Sequence, residues 1–175
     1  MKLQTESLLQ NRELVPAAVY GRVEKLVDGD KVMVAAIDPA YADGQLLHEH
    51  YETPLEWELN CIVVEGRRGD NVKYAAILLP YGKRVNTGSI VCQKLDAKKV
   101  SFADLNYVIE KTGMEFGSIT PVGLPEDWFI LIDEEVFAQE TIIIGGGLVS
   151  TKIIMPSYIL KDLPNVHIMH GLAKE

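Results

Sequence analysis

The sequence predicts an α+β fold built on a mixed β-sheet. Apolar runs with the character of strands outnumber helical ones, and antiparallel hairpins are mixed with helical crossovers. The 175 residues are 47% hydrophobic and 24% charged, which is enough apolar material for one sizeable core. We therefore expect residues 1–175 to form a single domain.

The first half of the chain alternates strand and helix patterns between turns. Residues 31–37, KVMVAAI, predict a strand because they are apolar and partly β-branched, with DGD and DPA turns on either side. Residues 43–51 predict a short helix that is capped by its first residue, Asp43. Residues 60–65 and 72–79 predict two strands, and the GRRGDN segment between them predicts the turn of a hairpin.

The second half holds further helix patterns and several strands. Residues 85–95 have helical spacing, and Ser101, with Asp104 three residues later, resembles a capping box for a helix that ends at Gly113. Pro156 fits the first turn of a short helix in the segment PSYILKDL. Strands are predicted at residues 128–132, 141–144, 149–155 and 165–169.

The charge of the chain is unevenly distributed. The net charge of −8 argues against a general nucleic-acid-binding protein. Residues 67–99, however, carry 8 basic and 2 acidic side chains. This basic region predicts either a solvated face or a small binding site for a polyanion such as the end of an RNA. Its basic residues are Arg67, Arg68, Lys73, Lys83, Arg84, Lys94, Lys98 and Lys99.

Neither a secretion signal nor a membrane anchor is predicted. The N-terminal residues lack a continuous apolar segment, and no run is long enough to span a membrane, so we expect a cytoplasmic protein. Cys61 and Cys92 lie in apolar surroundings without CxxC spacing, which favours reduced, buried thiols. The histidines have no companion ligands at a diagnostic spacing, so no metal or cofactor is predicted.

Special backbone residues are concentrated just before the predicted strand at 128–132. Gly117, Pro121 and Gly123 enclose Ser118 and Thr120. Glycine permits positive φ and close approach to the backbone, whereas proline fixes φ, so this loop has a specified shape that exposes hydroxyls and N–H groups. The loop therefore predicts either a cradle for a ligand or a plain long connection.

A second glycine cluster, Gly145–Gly147, lies between two predicted strands. It lacks the Walker A spacing and does not open a helix in a G-x-G-x-x-G motif, so nucleotide hydrolysis is not predicted. A strand turn or bulge and a pocket wall both remain open interpretations. We expect the aromatic residues Trp57, Phe116, Trp128 and Phe129 to pack in the core rather than to stack on bases.

Together these motifs resemble one family. Residues 117–121 form a GxxxP motif that is followed by Val-Gly, Asp133 ends a predicted strand, and Lys152 follows the triple glycine ahead of a Met-Pro pair. In this order and spacing the chain resembles the YbaK/prolyl-tRNA-synthetase-associated (aminoacyl-tRNA editing) domain family. The resemblance covers residues 58–172, and residues 1–57 are interpreted as an N-terminal extension of the same domain.

The resemblance implies a fold and an activity. The implied fold is a strongly twisted, partly barrel-like mixed sheet with helices packed around it, and we expect residues 58–155 to share that one sheet. Members of the family hydrolyse the ester of mischarged aminoacyl-tRNA. The chain would then be a free-standing trans-editing deacylase, similar to prolyl-tRNA editing proteins. Its partner would be the acceptor end of an aminoacyl-tRNA, with no role for DNA, a membrane or a cofactor.

The resemblance also implies which residues act. Gly117 and Asn60 would be catalytic, because the reaction in this family relies largely on backbone groups and on the terminal ribose hydroxyl of the tRNA. We expect the loop 117–123 to line the main pocket. The residues expected to bind the substrate are Ser118, Thr120, Pro121, Gly123, Asp133, Gly145, Gly147 and Lys152. The residues expected to bind the tRNA are Arg67, Arg68, Lys73, Lys83 and Arg84.

One position departs from the family pattern. Typical members carry a lysine where Asn60 stands, and an amide cannot replace the charge of an ammonium group beside a phosphate. Two interpretations remain open: Lys73, Lys83 or Arg84 supplies that charge from a neighbouring element, or the protein acts on another substrate. The alternative function is a non-catalytic module that binds tRNA or a small aminoacyl or nucleotide ligand.

Overall fold

The structure is a computed structural model that describes residues 2–86 and 88–175. It is a mixed α+β fold, which confirms the predicted class. The helices are α1 (Ala17–Lys25), α2 (Gly44–Tyr51), α3 (Ser89–Leu95) and α4 (Leu105–Thr112). The strands are β1 (Glu6–Ser7), β2 (Met33–Ala36), β3 (Leu59–Arg68), β4 (Asn71–Pro80), β5 (Arg84–Val85), β6 (Lys99–Phe102), β7 (Phe129–Asp133), β8 (Thr141–Gly145), β9 (Thr151–Pro156), β10 (Val166–Met169) and β11 (Ala173–Lys174).

The central sheet contains five strands in the order β10-β7-β4-β3-β6. The predicted hairpin is present: β3 and β4 are antiparallel, with Leu59 opposite Pro80 and Arg68 opposite Asn71. β7 runs parallel to β4, and β10 runs parallel to β7. Residues 75–79 of β4 are fully buried, because both faces of this strand are covered. The unbroken apolar run of β4 is thus explained by its central position.

A second sheet contains four antiparallel strands in the order β1-β2-β9-β8. The expectation that residues 58–155 share one sheet is therefore wrong. The β8–β9 hairpin belongs to this second sheet, in which β9 pairs with β2, a strand from the N-terminal third. An isolated parallel bridge between Glu58 and Ile143 joins the edges of the two sheets. Over the described ranges the strands do not close into a barrel, so the partly barrel-like description fits only loosely.

The core lies on both sides of the central sheet. Leu78 and Ile132 face the second sheet and join a cluster with Ile144, whereas Ile77 faces the other side and packs with Leu95 of α3. This alternation follows from the two-residue period of a strand. In the part of the chain that the structure describes, no helix is both long and apolar enough to cross a membrane.

Two predicted helix starts are corrected. Val85 belongs to β5, where it pairs with Ala173, and the helix begins only at Ser89; residue 87 of the predicted helix lies outside the described residues. Ser101 lies in β6, so the expected capping box does not form. Asp104 is instead the N-cap residue of α4, which ends at Gly113 as predicted, with φ +68°.

The expected aromatic packing holds only in part. Trp128 is buried in the core, and its ring stacks on Tyr74 with 5.2 Å between the ring centroids. Phe116, however, is 69% exposed, so its predicted core position is wrong. The reason is local, since Phe116 directly precedes the loop 117–123, hereafter the GxxxP loop, and does not lie in a helix or strand.

Candidate functional site

A cavity of about 460 Å³ opens beside the bridge that joins the two sheets. One wall is the first part of β3, and the opposite wall is the GxxxP loop with the ends of β8 and β9. The start of α2, Tyr81 and α4 complete the lining. Much of this lining is apolar, and its aliphatic residues include Leu59, Ile62, Val63, Val108, Ile119 and Ile144.

The two glycine clusters of the sequence form one structural unit. The N–H of Glu115 donates to the carbonyl of Gly147 at 2.8 Å, and the N–H of Gly147 donates to the carbonyl of Ser118 at 2.9 Å. The hydroxyl of Ser118 donates to the carbonyl of Leu148 at 2.8 Å. The second glycine cluster therefore fixes the position of the GxxxP loop at the cavity.

Close backbone packing explains two of the glycines. A Cβ on Gly145 would lie 2.9 Å from the carbonyl oxygen of Ser118. Gly123 has φ +98°, and its Cβ would lie 2.7 Å from the carbonyl oxygen of Ala18 in α1. A side chain at either position would displace backbone, so these glycines shape the loop.

The GxxxP loop presents unpaired backbone donors at the cavity. Gly117 has φ +87°, a conformation that favours glycine. Within residues 2–86 and 88–175, the N–H groups of Gly117 and Ile119 have no hydrogen-bond acceptor. Both residues line the cavity. Two residues of the cavity lining thus carry backbone donors that are available to an acceptor oxygen.

Asn60 and Lys152 reach the cavity from different sheets. Asn60 lies on β3 opposite Leu79, and Lys152 lies on β9 opposite Gly145. Lys152 is only 7% exposed, and among the described residues its ammonium group has neither a hydrogen bond nor a salt bridge. Burial lowers the pKa of Lys152, although the nearby carboxylates oppose this shift. The structure thus places a buried lysine and Asn60 in the lining of the same cavity.

Two carboxylates of the cavity, those of Glu58 and Asp43, were not predicted from the sequence. Glu58 is 2% exposed and lines the cavity. Burial raises the pKa of its carboxyl group to about 7 against the opposing charge of Lys152, and Asp43 adds to the rise. Asp43 was expected to cap α2, but its two carboxylate oxygens accept the hydroxyl of Tyr81 at 2.9 Å. The available signal was the two-residue spacing of Glu58, just before β3, and Asn60 within it, because residues two apart in extended chain point to the same side.

Cys61 also lines the cavity. Burial raises the pKa of its thiol to about 12, so the thiol is protonated at neutral pH. A protonated thiol is a poor nucleophile, and Cys61 therefore contributes packing rather than covalent chemistry.

Other residues expected to bind substrate have structural contacts instead. Asp133 is buried and accepts the N–H groups of Glu135 at 2.8 Å and Ala173 at 2.7 Å. Thr120 is buried, and within the described chain its hydroxyl has no partner. Neither residue is part of the cavity lining, and the same holds for Ser118, Pro121, Gly123 and Gly147. Of the expected substrate-binding residues, the cavity brings together Gly145 and Lys152.

Part of the basic region lies at the far end of the β3–β4 hairpin. Arg67 forms a salt bridge with Glu65 at 3.2 Å. Arg68, at 3.4 Å from an Asp96 oxygen, is also paired. Arg67 is seven residues along β3 from Asn60, or about 23 Å at the rise of an extended strand. Arg67, Arg68 and Lys73 therefore do not reach the cavity.

Lys83 and Arg84 lie closer to the cavity, shortly after Tyr81. Lys83 forms a salt bridge with the Glu175 side chain, and Arg84 donates to the Glu175 carbonyl at 2.8 Å. Neither residue is part of the cavity lining. Lys152, rather than these residues, supplies the cation at the cavity.

Comparison with known proteins identifies the family. Residues 38–162, more than half of the chain, match the model of the aminoacyl-tRNA editing domain. The chain belongs to this family. One similar solved structure is a protein provisionally assigned as a trans-editing enzyme for prolyl-tRNA synthetase. It is 18% identical, with a TM-score of 0.75, and the match covers 90% of this chain and 95% of that chain.

A further similar structure supports the same fold for this member of the aminoacyl-tRNA editing family. It is a hypothetical protein with 16% identity and a TM-score of 0.75, and the match covers 90% of this chain and 99% of that chain. At such identities the likeness concerns the fold alone. No curated protein matches the sequence.

Proposed function

We propose that the protein is a free-standing trans-editing deacylase that hydrolyses the ester of mischarged aminoacyl-tRNA. The observation that carries the proposal is the pair of unpaired N–H groups on Gly117 and Ile119 at a mainly apolar cavity. Ester hydrolysis develops negative charge on the carbonyl oxygen, and preoriented backbone donors stabilise that charge. Membership of the editing family makes an aminoacyl ester the substrate that fits this arrangement.

The proposed reaction needs no side-chain nucleophile. Water attacks the ester carbonyl, and the developing oxyanion accepts hydrogen bonds from the loop donors. The bond between the carbonyl carbon and the ribose oxygen then breaks, and the ribose oxygen takes up a proton. The products are a free amino acid and an uncharged tRNA. The protonated thiol of Cys61 is consistent with direct attack by water.

Two polar residues have supporting roles in the proposal. The amide of Asn60, on β3 at the cavity wall, hydrogen-bonds the terminal nucleotide. The ammonium group of Lys152 supplies the positive charge that the family places at the Asn60 position. A point charge in a water-poor cavity acts more strongly on a phosphate or carbonyl than the same charge in water.

The cavity also restricts the aminoacyl group. A volume of about 460 Å³ is within the usual range for a small-molecule pocket, and it must hold the terminal ribose as well as the acyl group. The aliphatic side chains of Val63, Val108 and Ile119 favour a small apolar acyl group. The remaining predicted contacts, from Arg67, Arg68, Lys73, Lys83 and Arg84, belong to the tRNA outside this cavity.

The second candidate function is a non-catalytic module that binds the end of a tRNA or a small aminoacyl ligand. Asn60 favours it, because the residue is uncharged where the family has a lysine. A deacylation screen over a panel of charged tRNAs separates the two functions. Binding of a charged tRNA without turnover would favour the module.

The mechanism is tested by Gly117→Ala. The side chain would strain a residue at φ +87° and displace its N–H, so we expect kcat to fall by about 10²-fold. Gly69→Ala is the matched control, because Gly69 also has positive φ with open space around it, at the far hairpin turn. Asn60→Lys should preserve or raise turnover. Unchanged turnover in a folded Gly117→Ala variant would refute the proposed oxyanion site.

A further inference from the structure

The Glu58 carboxyl group is unusual because it is buried without a partner. Its Oε1 atom is fully occluded, and no hydrogen bond reaches either oxygen from the described residues. Buried carboxylates in proteins are ordinarily hydrogen-bonded or paired with a cation. Oε2 is not occluded in this way, and Glu58 lines the cavity, so a donor from a bound ligand can reach Oε2.

The neighbouring charged groups do not supply that donor. The carboxylate of Asp43 is itself an acceptor, which takes the Tyr81 hydroxyl, so it offers Glu58 no donor. Lys152 lowers the pKa of Glu58 through space, but no salt bridge joins the two side chains over the described ranges. With all three side chains ionised, this polar end carries one more negative than positive charge. It therefore favours a ligand group that is positively charged and rich in N–H donors.

We propose that Glu58 binds the free α-ammonium group of the aminoacyl moiety, so that the site selects acyl groups with an unblocked amine. The assignment rests on the proposed function, because it takes an aminoacyl ester as the ligand. An ammonium group supplies three N–H donors and a positive charge. In an aminoacyl ester only the α-carbon separates this ammonium from the ester carbonyl. Glu58, Gly117 and Ile119 line the same cavity, and the proposal places the ammonium group at Glu58 and the carbonyl oxygen at the loop donors.

The proposal predicts two consequences of ligand binding. An acyl group with a hydroxyl or an acylated nitrogen in place of the ammonium leaves Glu58 without its cation, so it binds more weakly. Since the pKa of Glu58 is about 7, a cation that binds beside it also drives off a proton near neutral pH. The α-ammonium ligand should therefore release protons on binding, whereas the hydroxyl ligand should not.

The test uses two non-hydrolysable probes that differ at one group. They are 3′-(L-alanylamino)-3′-deoxyadenosine and its L-lactoylamino counterpart, which carries a hydroxyl in place of the amine. Titration calorimetry in buffers of different ionisation enthalpy gives both the affinity and the proton release. For the unsubstituted protein we expect about 10-fold or stronger preference for the alanyl probe, the usual range for a charge-assisted hydrogen bond.

Glu58→Gln should abolish both the preference and the proton release, whereas Glu56→Gln, an exposed neighbour, should retain both. Circular dichroism checks that each variant is folded. Equal affinity of the unsubstituted protein for the two probes would overturn the assignment while leaving the deacylase proposal intact. Loss of turnover without loss of preference in Glu58→Gln would also overturn it, because Glu58 would then act on water. If neither of the two probes binds, both proposals are overturned.

Discussion

Glu58→Gln should stabilise the protein more at alkaline than at acidic pH. Burial raises the pKa of the Glu58 carboxyl from 4.5 to about 7, so the unfolded chain loses this proton before the folded chain does. As pH rises between these values, the folded state binds more protons, and the free energy of unfolding falls. At about 1.36 kcal/mol per pKa unit, the full loss is about 3 kcal/mol above pH 7.

Urea unfolding of the variant and of the unsubstituted protein between pH 5 and pH 8 measures this effect. We define ΔΔG as the free energy of unfolding of the variant minus that of the unsubstituted protein. Its change with pH measures the effect, because the contribution of the substitution to packing is independent of pH and cancels. Most of the expected 3 kcal/mol or so should appear in this interval. Glu56→Gln is the matched control: its side chain is exposed, so its ΔΔG should stay constant within about 0.5 kcal/mol.

Two results would refute the reasoning. A ΔΔG that does not change with pH would mean that Glu58 is solvated in the folded protein. A ΔΔG that changes in the opposite direction would mean that Lys152 holds the carboxylate ionised and stabilises it. Either result would also remove the unpaired carboxylate on which the inferred ammonium site depends.

Three other predictions concern the cavity and the tRNA. Gly145→Ala should reduce deacylation by roughly 10-fold or more, since its Cβ would lie 2.9 Å from a loop carbonyl oxygen and shift the loop. Gly21→Ala is the control, because Gly21 has open space around it. Equal turnover in both variants would contradict this role of Gly145. Lys152→Met should raise the pKa of Glu58, so in the same urea series the fall in the free energy of unfolding should extend to higher pH. If the free energy of unfolding depends on pH as it does in the unsubstituted protein, the two side chains do not interact. Lys83→Glu should weaken binding of an acceptor-stem RNA and lower the salt slope by about 1, whereas Lys161→Glu should change little. Equal effects at the two lysines would favour a solvated basic face.

Local patterns predicted the elements that depend on neighbouring residues. The β3–β4 hairpin follows from two apolar runs around a Gly/Asp/Asn turn, and Gly113 ends α4 because it adopts positive φ. The capping box predicted at Ser101 does not form, because Ser101 lies in β6, which pairs with β3. Tertiary pairing decided between the two structures.

Long-range pairing set the features that the sequence did not predict. β2 pairs with β9, with Met33 opposite Ile154. Local sequence patterns do not predict a pairing between strands so far apart along the chain. The glycine clusters indicated a cavity wall, and Gly117 and Gly145 do line the cavity. The charged end of the cavity combines residues from β9, from the segment before β3 and from the N-cap of α2, which only the folded chain brings together.

The contact between α1 and the GxxxP loop changes where divergence within the family should be sought. Ala18, whose carbonyl packs over Gly123, precedes residue 38, where the match to the editing-domain model begins. Pro16 packs in the same way on Gly147, 2.8 Å from the place of a Cβ. A segment that lies before the range of the family model thus supports both glycine clusters at the cavity. Relatives with the same GxxxP motif and a different N-terminal segment would hold the loop differently, so substrate preference can drift while the motif itself stays unchanged.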